Sequence, residues 1–319
     1  MSTLMQRVGE IGLVPVIKLE SARKAVGLGR ALVAGGIPVA EVTFRTAAAE
    51  EAIRAMAAEL PELLVGAGTV LTVDQAERAL AAGAKFIVSP CYVDEVVAYC
   101  QERGIPVLPG VVNPDGVAKG LAQGLDVLKF FPAGPAGGTA MLDAMAGPFG
   151  SARFVPTGGI DASNVSSYAR RTNVHAIGGT WMVRPDLVEA EDWQAVEGLC
   201  REAVFALHDF SFAHLGISGQ DEAECRAVAG RFQQLFNFAP TEGGASIFAG
   251  DRVEITRTPC PGAKGHLAIR CNQVERAVAY FKRAGIQARP ETAKGAPGRL
   301  KAIYLDLELA GFAVHLLGR

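Results

Sequence analysis

A lysine lies within an otherwise apolar segment that is typical of a β-strand, residues 127–132 (VLKFFP). Because side chains alternate along a strand, Lys129 shares a face with Val127 and Phe131. If that face is the interior of a barrel, desolvation disfavours the ammonium form, and a nearby Arg45 would add like-charge repulsion. Schiff-base formation with a ketone requires a neutral amine. The alternative is a structural lysine that reaches solvent or pairs with a buried carboxylate.

Three polar side chains alternate along another predicted strand, where Glu41, Thr43 and Arg45 point the same way. Unpaired buried charges are costly, so a carboxylate and a guanidinium directed into a protein interior need a role. Glu41 could transfer protons, and the fork of Arg45 could bind a substrate carboxylate through two hydrogen bonds. A purely structural Glu–Arg ion pair is the alternative.

Paired glycines follow two later strand candidates, in residues 156–160 (PTGGI) and 177–180 (IGGT). Barrels frequently bind phosphate in the loops after strands seven and eight, where backbone N–H groups are the donors. The alternative is a pair of tight turns. An earlier strand ends in residues 66–69 (GAGT), where the glycines leave space and the Thr69 hydroxyl could donate at the same barrel end.

The elements that would position these residues repeat with a regular spacing. Eight short strand candidates, separated by Ala-rich helical segments, cover residues 14–19, 40–45, 63–69, 86–90, 106–111, 127–132, 153–158 and 176–180. Alternating strands and helices favour parallel pairing, and eight such units predict a (β/α)8 TIM barrel. A doubly wound open sheet would give similar local patterns, but the count of eight favours the barrel.

Two of the intervening helices carry clear signals. Thr72 and Gln75 have the spacing of a capping box ahead of a helical segment. After Thr46, apolar residues recur at helical spacing, namely Ala49, Ile53, Met56 and Leu60.

After about residue 208 the pattern changes to an internal duplication. Residues 213–217 (AHLGI) resemble residues 265–269 (GHLAI), 52 positions later. Each is followed by an amphipathic helix candidate and by short strand-like runs. The predicted apolar stripes are Val228, Phe232, Leu235 and Phe236 in the first helix, and Val274, Ala277, Val278 and Phe281 in the second. We therefore expect a barrel domain over 1–209 and a smaller α+β domain of two βαβββ-like repeats over 210–319.

Four polar residues occupy matched positions of this duplication. His214 and His266 lie on the first strand of each half, and Glu254 and His315 lie on the last. Imidazoles and a carboxylate suit a divalent first-row metal, so the pattern predicts a metal site. The alternative is that these side chains only pack on a strand face or lie at the surface.

Composition excludes several classes of protein. The chain has 319 residues, half of them apolar, and a formal net charge of −2, so no field of one sign is available for nucleic acid or an anionic membrane. It has no apolar run of membrane-spanning length and no secretory leader. The six cysteines are scattered without a Cys-x-x-Cys pair, which is typical of reduced, mostly buried thiols in a cytoplasmic protein.

The motifs of the first domain together resemble the 2-dehydro-3-deoxy-6-phosphogluconate (KDPG) aldolase family over residues 5–205. They are residues 41–46 (EVTFRT), 66–70 (GAGTV), 89–90 (SP), 129–133 (KFFPA) and 156–160 (PTGGI). The family is class I and metal-independent, and often also acts on 4-hydroxy-2-oxoglutarate. The resemblance therefore implies no cofactor, a small keto sugar-acid phosphate as substrate, and a homo-oligomer, usually a trimer.

The same resemblance implies roles at matching positions. Lys129 would form the Schiff base and Glu41 would transfer protons. Arg45 and Thr69 would bind the pyruvate carboxylate, and Pro90 and Phe131 would line the pocket. The phosphate would be bound by the two glycine loops, at Thr157, Gly158, Gly159, Gly178, Gly179 and Thr180. Lys18 departs from the apolar residue expected on strand one and is the one competitor for the nucleophile.

The second domain resembles the vicinal oxygen chelate (glyoxalase-like) superfamily over residues 211–319. This resemblance implies a divalent metal held by His214, Glu254, His266 and His315. Two other functions stay open. The second domain could be the working part of a metabolite- or metal-binding regulatory protein, or the barrel could be another phosphate-binding enzyme, such as an isomerase. The strand-six lysine with a Glu/Arg pair on strand two argues against the isomerase.

Overall fold

In the computed structural model, which describes residues 3–296 and 299–319, strands alternate with helices as far as Leu207. A second compact unit comprises His208–Arg319. Across the described residues, no helix combines the length and apolar character needed to cross a bilayer.

Nine short strands form the sheet structure of the first unit. They are β1 (Leu13–Ile17), β2 (Val39–Thr43), β3 (Leu64–Gly68), β4 (Ile87–Val88), β5 (Val107–Leu108), β6 (Gly110–Val111), β7 (Val127–Phe130), β8 (Arg153–Pro156) and β9 (Ile177–Gly179). All pair in parallel, in the orders β5-β4-β3-β2-β1-β9 and β6-β7-β8. The predicted parallel α/β architecture is therefore confirmed as a curled parallel sheet.

Ten helices precede, connect or follow these strands. They are α1 (Thr3–Ile11), α2 (Ala25–Ala34), α3 (Ala49–Glu59), α4 (Val73–Ala81), α5 (Asp94–Glu102), α6 (Pro114–Ala122), α7 (Gly138–Ala146), α8 (Val165–Ala169), α9 (Pro185–Glu189) and α10 (Trp193–His208), with a 3-10 turn at Ala22–Lys24. The predicted stripe after Thr46 is buried, and α4 begins as expected, because the Thr72 side chain accepts a hydrogen bond from the Gln75 N–H.

One predicted strand differs from the structure. The single strand expected over 106–111 is divided at Pro109 into β5 and β6. Proline has no N–H to donate to a neighbouring strand, so the ladder is interrupted there. The Pro109 carbonyl still accepts a hydrogen bond from the Lys129 N–H at 3.0 Å, so the chain remains paired with β7 across this break.

The second unit is built on one eight-stranded sheet with two helices. The strands are β10 (Ser211–Ser218), β11 (Pro240–Glu242), β12 (Ser246–Ala249), β13 (Val253–Thr256), β14 (Gly265–Cys271), β15 (Lys294–Ala296), β16 (Arg299–Leu309) and β17 (Phe312–Gly318). The helices are α11 (Glu222–Phe236) and α12 (Val274–Arg283), with a 3-10 turn at Pro290–Thr292. Each half runs strand, helix, strand, strand, strand.

The sheet order shows the symmetry of the two halves. It is β11-β12-β13-β10-β14-β17-β16-β15, so the first strands of the halves, β10 and β14, are antiparallel neighbours at the centre. Each first strand also pairs in parallel with the last strand of its own half. Each helix covers its own half, α11 over a small core with Ile247 and Ile255 and α12 over a larger one with Leu305 and Leu316.

The predicted stripe on α11 is only partly correct. Val228 and Phe232 pack on the first core, whereas Leu235 and Phe236 are exposed. Both lie in the last turn of α11, which ends at the left-handed Asn237.

The cysteines were expected to be mostly buried thiols, and the structure agrees. All six thiols are free, and four are buried, namely Cys100, Cys200, Cys225 and Cys271.

Candidate functional site

Lys129 on β7 and Glu41 on β2 meet inside the first unit. The Lys129 Nζ lies 3.0 Å from the Glu41 Oε1, and the two residues are only 4% and 3% exposed. A buried charge is tolerated when its partner is equally buried and well placed. An enclosed amine against one carboxylate is the arrangement that nucleophilic attack and local proton transfer both need.

Two glycines make the close packing around this pair possible. A Cβ on Gly68 of β3 would lie 2.3 Å from the Glu41 Oε1, so the space expected at this glycine is occupied by the carboxylate. Gly110, which the sequence analysis did not single out, is the register partner of Lys129, and a Cβ on it would lie 2.2 Å from the Pro90 carbonyl oxygen. The Pro90 backbone therefore packs against β6, the neighbour of the lysine strand.

Arg45 and Thr69 form a second contact at the ends of adjacent strands. The Arg45 Nε donates a hydrogen bond to the Thr69 Oγ1 at 3.1 Å, and the rest of the guanidinium is exposed. Thr69 has a φ of 57°, a left-handed conformation that strains a β-branched residue and is typically retained at functional positions. Thr43 has a different use, because its hydroxyl is buried and donates to the Ile17 carbonyl at 2.8 Å.

Phe131 connects the lysine with the glycine loops. The Lys129 Nζ lies 5.4 Å from the centroid of the Phe131 ring, and a Cβ on Gly158 would lie 3.4 Å from that ring. Gly158 and Gly159 have φ values of 93° and 76°, which glycine adopts without strain. The first glycine loop is therefore adjacent to the aromatic wall of the lysine site.

The second glycine loop pairs with the first. Thr157 forms a parallel bridge with Gly178, and a Cβ on Gly178 would lie 2.2 Å from the Thr157 Oγ1. Within the described ranges, the backbone N–H groups of Gly159 and Thr180 have no hydrogen-bond acceptor, and both residues are exposed. Free N–H groups on adjacent loops are suitable donors for an anion.

Lys18 is placed differently from Lys129. Its side chain is about half exposed and forms an ion pair with the equally exposed Glu20 at 2.6 Å. Lys18 is therefore open to solvent, whereas the Lys129 amine is enclosed beside a buried carboxylate, as nucleophilic attack needs. The geometry therefore favours Lys129.

In the second unit, the strand register brings the four predicted metal ligands onto one face of the sheet. Gly216 on β10 is the register partner of both Glu254 and His266, whereas Ala268 on β14 is the partner of both His214 and His315. These two rows lie two residues apart, so all four side chains project to the same side. Ile255, Val314 and Leu316 alternate with them and face the helices.

The four side chains lie close together on this face. The Glu254 Oε2 lies 3.1 Å from the Nε2 atoms of both His214 and His266, which are 3.2 Å from each other. The His315 Nε2 lies 3.5 Å from the His214 Nε2, and all three histidines are buried. Three imidazoles whose ligand atoms lie within 4.8 Å of one another, with a carboxylate oxygen beside two of them, form a donor set that suits zinc or a similar first-row divalent ion.

The electrostatics of this cluster agree with that donor set. Burial raises the pKa of Glu254, but hydrogen bonds with His214, His266 and Ser246 outweigh it and hold the pKa well below its usual range. Burial and the two neighbouring histidines lower the pKa of His315 to about 3. Burial lowers the pKa of His266, but contacts with Cys260 and Glu254 outweigh it and raise it to about 9. A bound metal would replace the proton of His266.

Several residues that complete the cluster were not predicted from the sequence. Gly216 makes room for it, because a Cβ there would lie 2.0 Å from the His266 Cε1. The Ser246 Oγ donates to the Glu254 Oε1 at 2.7 Å. Phe248 packs edge-on against His214, and Tyr304 stacks on His315. The usable signal was the small residue two positions after each first-strand histidine.

Comparison with known proteins shows similarity over the first unit. A family model described as KDPG and KHG aldolase matches residues 4–199. The 2-dehydro-3-deoxy-phosphogluconate aldolase of Treponema pallidum is 45% identical over 204 residues, which are 64% of this chain and 97% of that protein. The KHG/KDPG aldolase of Escherichia coli K12 is 45% identical over 192 residues, 60% of this chain and 90% of that protein.

A solved structure extends the similarity to the fold. It is the KDPG aldolase of Legionella pneumophila, described with pyruvate captured as a covalent carbinolamine intermediate. That chain is 38% identical, superposes with a TM-score of 0.61, and the match covers 62% of this chain and 97% of that one.

Proposed function

Since the chain belongs to the KDPG and KHG aldolase family, we propose that its first unit is a class I aldolase whose Schiff base forms on Lys129. It cleaves 2-dehydro-3-deoxy-6-phosphogluconate to pyruvate and glyceraldehyde 3-phosphate. The observation that carries the assignment of Lys129 is the buried contact of 3.0 Å between its Nζ and the Glu41 carboxylate. The E. coli relative, whose name includes KHG, supports 4-hydroxy-2-oxoglutarate as a second substrate, cleaved to pyruvate and glyoxylate.

The reaction begins at the substrate ketone. The Lys129 Nζ attacks C2 to give a carbinolamine, and Glu41 supplies the proton with which water leaves, so that an iminium remains. Glu41, now a carboxylate, takes the C4 hydroxyl proton directly or through water. The C3–C4 bond then breaks, its electron pair moves into the iminium to form an enamine, and glyceraldehyde 3-phosphate leaves.

The second half of the cycle reverses the first. Glu41 returns its proton to C3 of the enamine. Water then hydrolyses the resulting iminium to pyruvate and the free Lys129 amine, and the proton released in this step returns to Glu41. Because the iminium accepts the electron pair, the reaction calls for no cofactor. The carbinolamine in the Legionella relative supports the covalent route.

Substrate binding follows from the two ends of the site. The exposed guanidinium of Arg45, oriented by Thr69, is suited to the carboxylate next to the ketone. Pro90 and Phe131 line the pocket between. The phosphate is assigned to the two glycine loops, Thr157–Gly159 and Gly178–Thr180, and the free N–H groups of Gly159 and Thr180 support this.

We also infer that the two parallel sheets close into one (β/α)8 barrel. The bridge between Thr157 and Gly178 supports closure on one side, because it links the last strand of one sheet to the last of the other. On the other side, β5 and β6 are separated only by Pro109. The family resemblance further supports a homotrimer, which sedimentation of the full chain would test.

Borohydride reduction in the presence of pyruvate tests the nucleophile. The wild-type protein should gain one covalent adduct, located on Lys129 by peptide mass spectrometry, and Lys129→Ala should gain none. Lys18→Ala is the matched control and should trap like the wild type. Trapping that survives in Lys129→Ala would remove the assignment.

For the second unit, we propose a glyoxalase-like domain that holds a divalent metal with His214, Glu254, His266 and His315. The convergence of their Nε2 and Oε2 atoms supports it. The metal would supply Lewis-acid chemistry or an organised ligand site. This domain could instead bind a metabolite or regulate the aldolase, and both uses are compatible with the same metal site.

Metal analysis tests this second proposal. The full chain, loaded with zinc and dialysed, should retain close to one ion per chain, and His214→Ala/His266→Ala should lose it. Replacing the exposed Lys264 by alanine in the same unit should have no effect. Zinc well below stoichiometry in the wild-type chain would end the proposal.

A further inference from the structure

A cavity of about 190 Å³ opens beside the histidine cluster of the second unit. Glu254, His266 and His315 form one wall of it, so any molecule in the cavity lies against the predicted metal ligands. Both halves of the duplication line the cavity, the first through Glu254 and Thr256 and the second through Tyr304, whereas Phe248 packs against His214. The cluster is thus accessible from one side.

The remaining wall is mixed, with the larger share of its surface apolar. Its apolar members are Ala245, Pro259, Pro261, Ala302 and Ile303, and its polar members include Thr256, Thr258, Cys260, Thr292, Lys294 and Tyr304. The Thr292 hydroxyl is already used, because it accepts a hydrogen bond from the Tyr304 N–H and donates to the Arg289 carbonyl. Thr258 has no side-chain hydrogen bond among the described residues, so its hydroxyl is available to a ligand.

Lys294 is the one ammonium group that lines this cavity among the described residues. In the same part of the chain no carboxylate lies within ion-pair distance of it. Lys294 is exposed and lines the same cavity as His315. The cavity therefore presents an unpaired cation on one wall and the metal ligands on another.

The charges of the site define the ligand. A divalent ion with three neutral imidazoles and one carboxylate stays net positive, and Lys294 adds a further positive charge. Glu254 is the only carboxylate among the described lining residues, and a bound metal would neutralise its negative charge. This surplus of positive charge favours an anion over a neutral molecule of the same shape.

We propose that this cavity binds a small carboxylic acid of about the size of pyruvate, with its carboxylate paired to Lys294 and its other end directed at the cluster. This inference rests on the metal site proposed above and adds the ligand class. The volume of about 190 Å³ is sufficient for a ligand of this size.

The test uses the full chain carrying Lys129→Ala, so that pyruvate forms no imine in the first unit. The protein is loaded with cobalt(II), whose visible spectrum reports changes around the metal, and is titrated with pyruvate and with uncharged hydroxyacetone. Pyruvate should change the spectrum saturably, and hydroxyacetone should require at least about tenfold higher concentration, since one charged hydrogen bond is worth that much.

The variant that isolates the lysine is Lys294→Met. It should weaken pyruvate binding by about tenfold or more and leave the cobalt affinity unchanged. Lys301→Met is the matched control, because Lys301 is exposed on the neighbouring strand β16 and does not line the cavity. Circular dichroism of each variant checks that it folds.

The outcomes separate the two proposals. Cobalt bound without any response to pyruvate, or a response that Lys294→Met leaves intact, would overturn the anion site and spare the metal site. A chain that binds no cobalt would overturn both. A response of equal strength to hydroxyacetone would show that the ligand charge is not recognised, which also contradicts the proposal.

Discussion

At the scale of single residues, the aldolase site depends on side chains that are absent as much as on those present. Glu41 reaches Lys129 only because Gly68 has no Cβ, which would lie 2.3 Å from the carboxylate oxygen. Gly68 touches the acid that transfers protons and takes no part in the chemistry. It is a positioning residue.

Gly68→Ala should therefore lower kcat by about a hundredfold, because an acid displaced by an ångström transfers protons poorly. The KM should change far less, since Arg45 and the glycine loops are untouched, and borohydride trapping on Lys129 should persist. Steady-state kinetics with KDPG and the trapping assay measure the two effects.

Gly198→Ala is the matched control for that variant, because nothing lies within 4 Å of its added methyl group. It should keep wild-type kinetics. If Gly68→Ala also keeps the wild-type kcat, the steric placement of Glu41 by Gly68 is wrong.

The candidate residues of both sites could be named from the sequence, whereas most contacts of the glycines around them could not. A lysine in an apolar strand and an alternating Glu-x-Thr-x-Arg are unusual patterns, because burying charge is costly. The sequence suggested that Gly68 leaves space but not for which side chain, and Gly110 and Gly216 look like ordinary strand glycines until their neighbours are placed. The alternating pattern assigned no role to Thr43. In the structure its hydroxyl donates a hydrogen bond to a backbone carbonyl on another strand.

At the scale of elements, local sequence signals determine where some helices begin. The capping box at Thr72 is one such signal, and its hydroxyl accepts from the Gln75 N–H at 3.2 Å. The Gln75 side chain in turn accepts from the Leu71 N–H at 2.7 Å. Both contacts are local in sequence, so they could be read without the fold.

Thr72→Ala should destabilise the first unit by about 1 kcal/mol, the usual cost of losing an N-cap acceptor. Denaturant unfolding followed by tryptophan fluorescence measures it, because Trp181 and Trp193 both lie in the first unit. Asp74→Ala, an exposed acid in the same first turn, should cost only a few tenths of a kcal/mol. Equal effects of the two variants would contradict a specific cap.

The end of α10 carries a buried histidine whose titration should affect the second unit. Burial and the neighbouring Arg276 and Arg283 lower the pKa of His208 to about 3. Its ring stacks on Phe210 and contacts Tyr280. In the unfolded chain a histidine has a pKa of about 6.5, so the unfolded state binds the proton first.

The unfolding free energy of the second unit should therefore fall as the pH drops from about 6.5 towards 3, by about 1.4 kcal/mol for each pKa unit of difference. His208→Leu should flatten this dependence. Far-UV circular dichroism during urea unfolding at several pH values measures it. An unchanged slope in the variant would show that other groups cause the acid sensitivity.

At this scale, the sequence pattern did not predict the break in one strand or the exposed end of the apolar stripe on α11. Pro109 divides a strand whose apolar pattern is continuous, because the pattern records burial and not the missing N–H. Leu235 and Phe236 continue the helical stripe of α11 but are exposed, since periodicity does not show where the sheet beneath the helix ends.

At the scale of the whole molecule, two kinds of chemistry share one chain. In the proposed scheme, the imine on Lys129 accepts electrons without a metal, whereas the second unit would bind one. Pyruvate release from KDPG should therefore be unchanged by EDTA, as measured by a coupled lactate dehydrogenase assay. The same EDTA should lower the thermal stability of a zinc-loaded second unit, because bound metal stabilises the folded state.

His214→Ala/His266→Ala is the control for the stability effect and should make it insensitive to EDTA. Loss of aldolase activity with EDTA, restored by added zinc, would contradict the metal-free route.

The division into two units was readable from sequence because the period of the pattern changes near residue 208. The convergence of the four ligands was only suggested by their matched positions, and it needed the strand register.

The register of β10 and β14 has one more consequence. A single half contributes one imidazole from its first strand and one donor from its last, and the small residue of each first strand gives space to the opposite half. Two of four donors cannot enclose an ion, so the proposed metal site requires both halves of the duplication, and neither half alone would hold the ion.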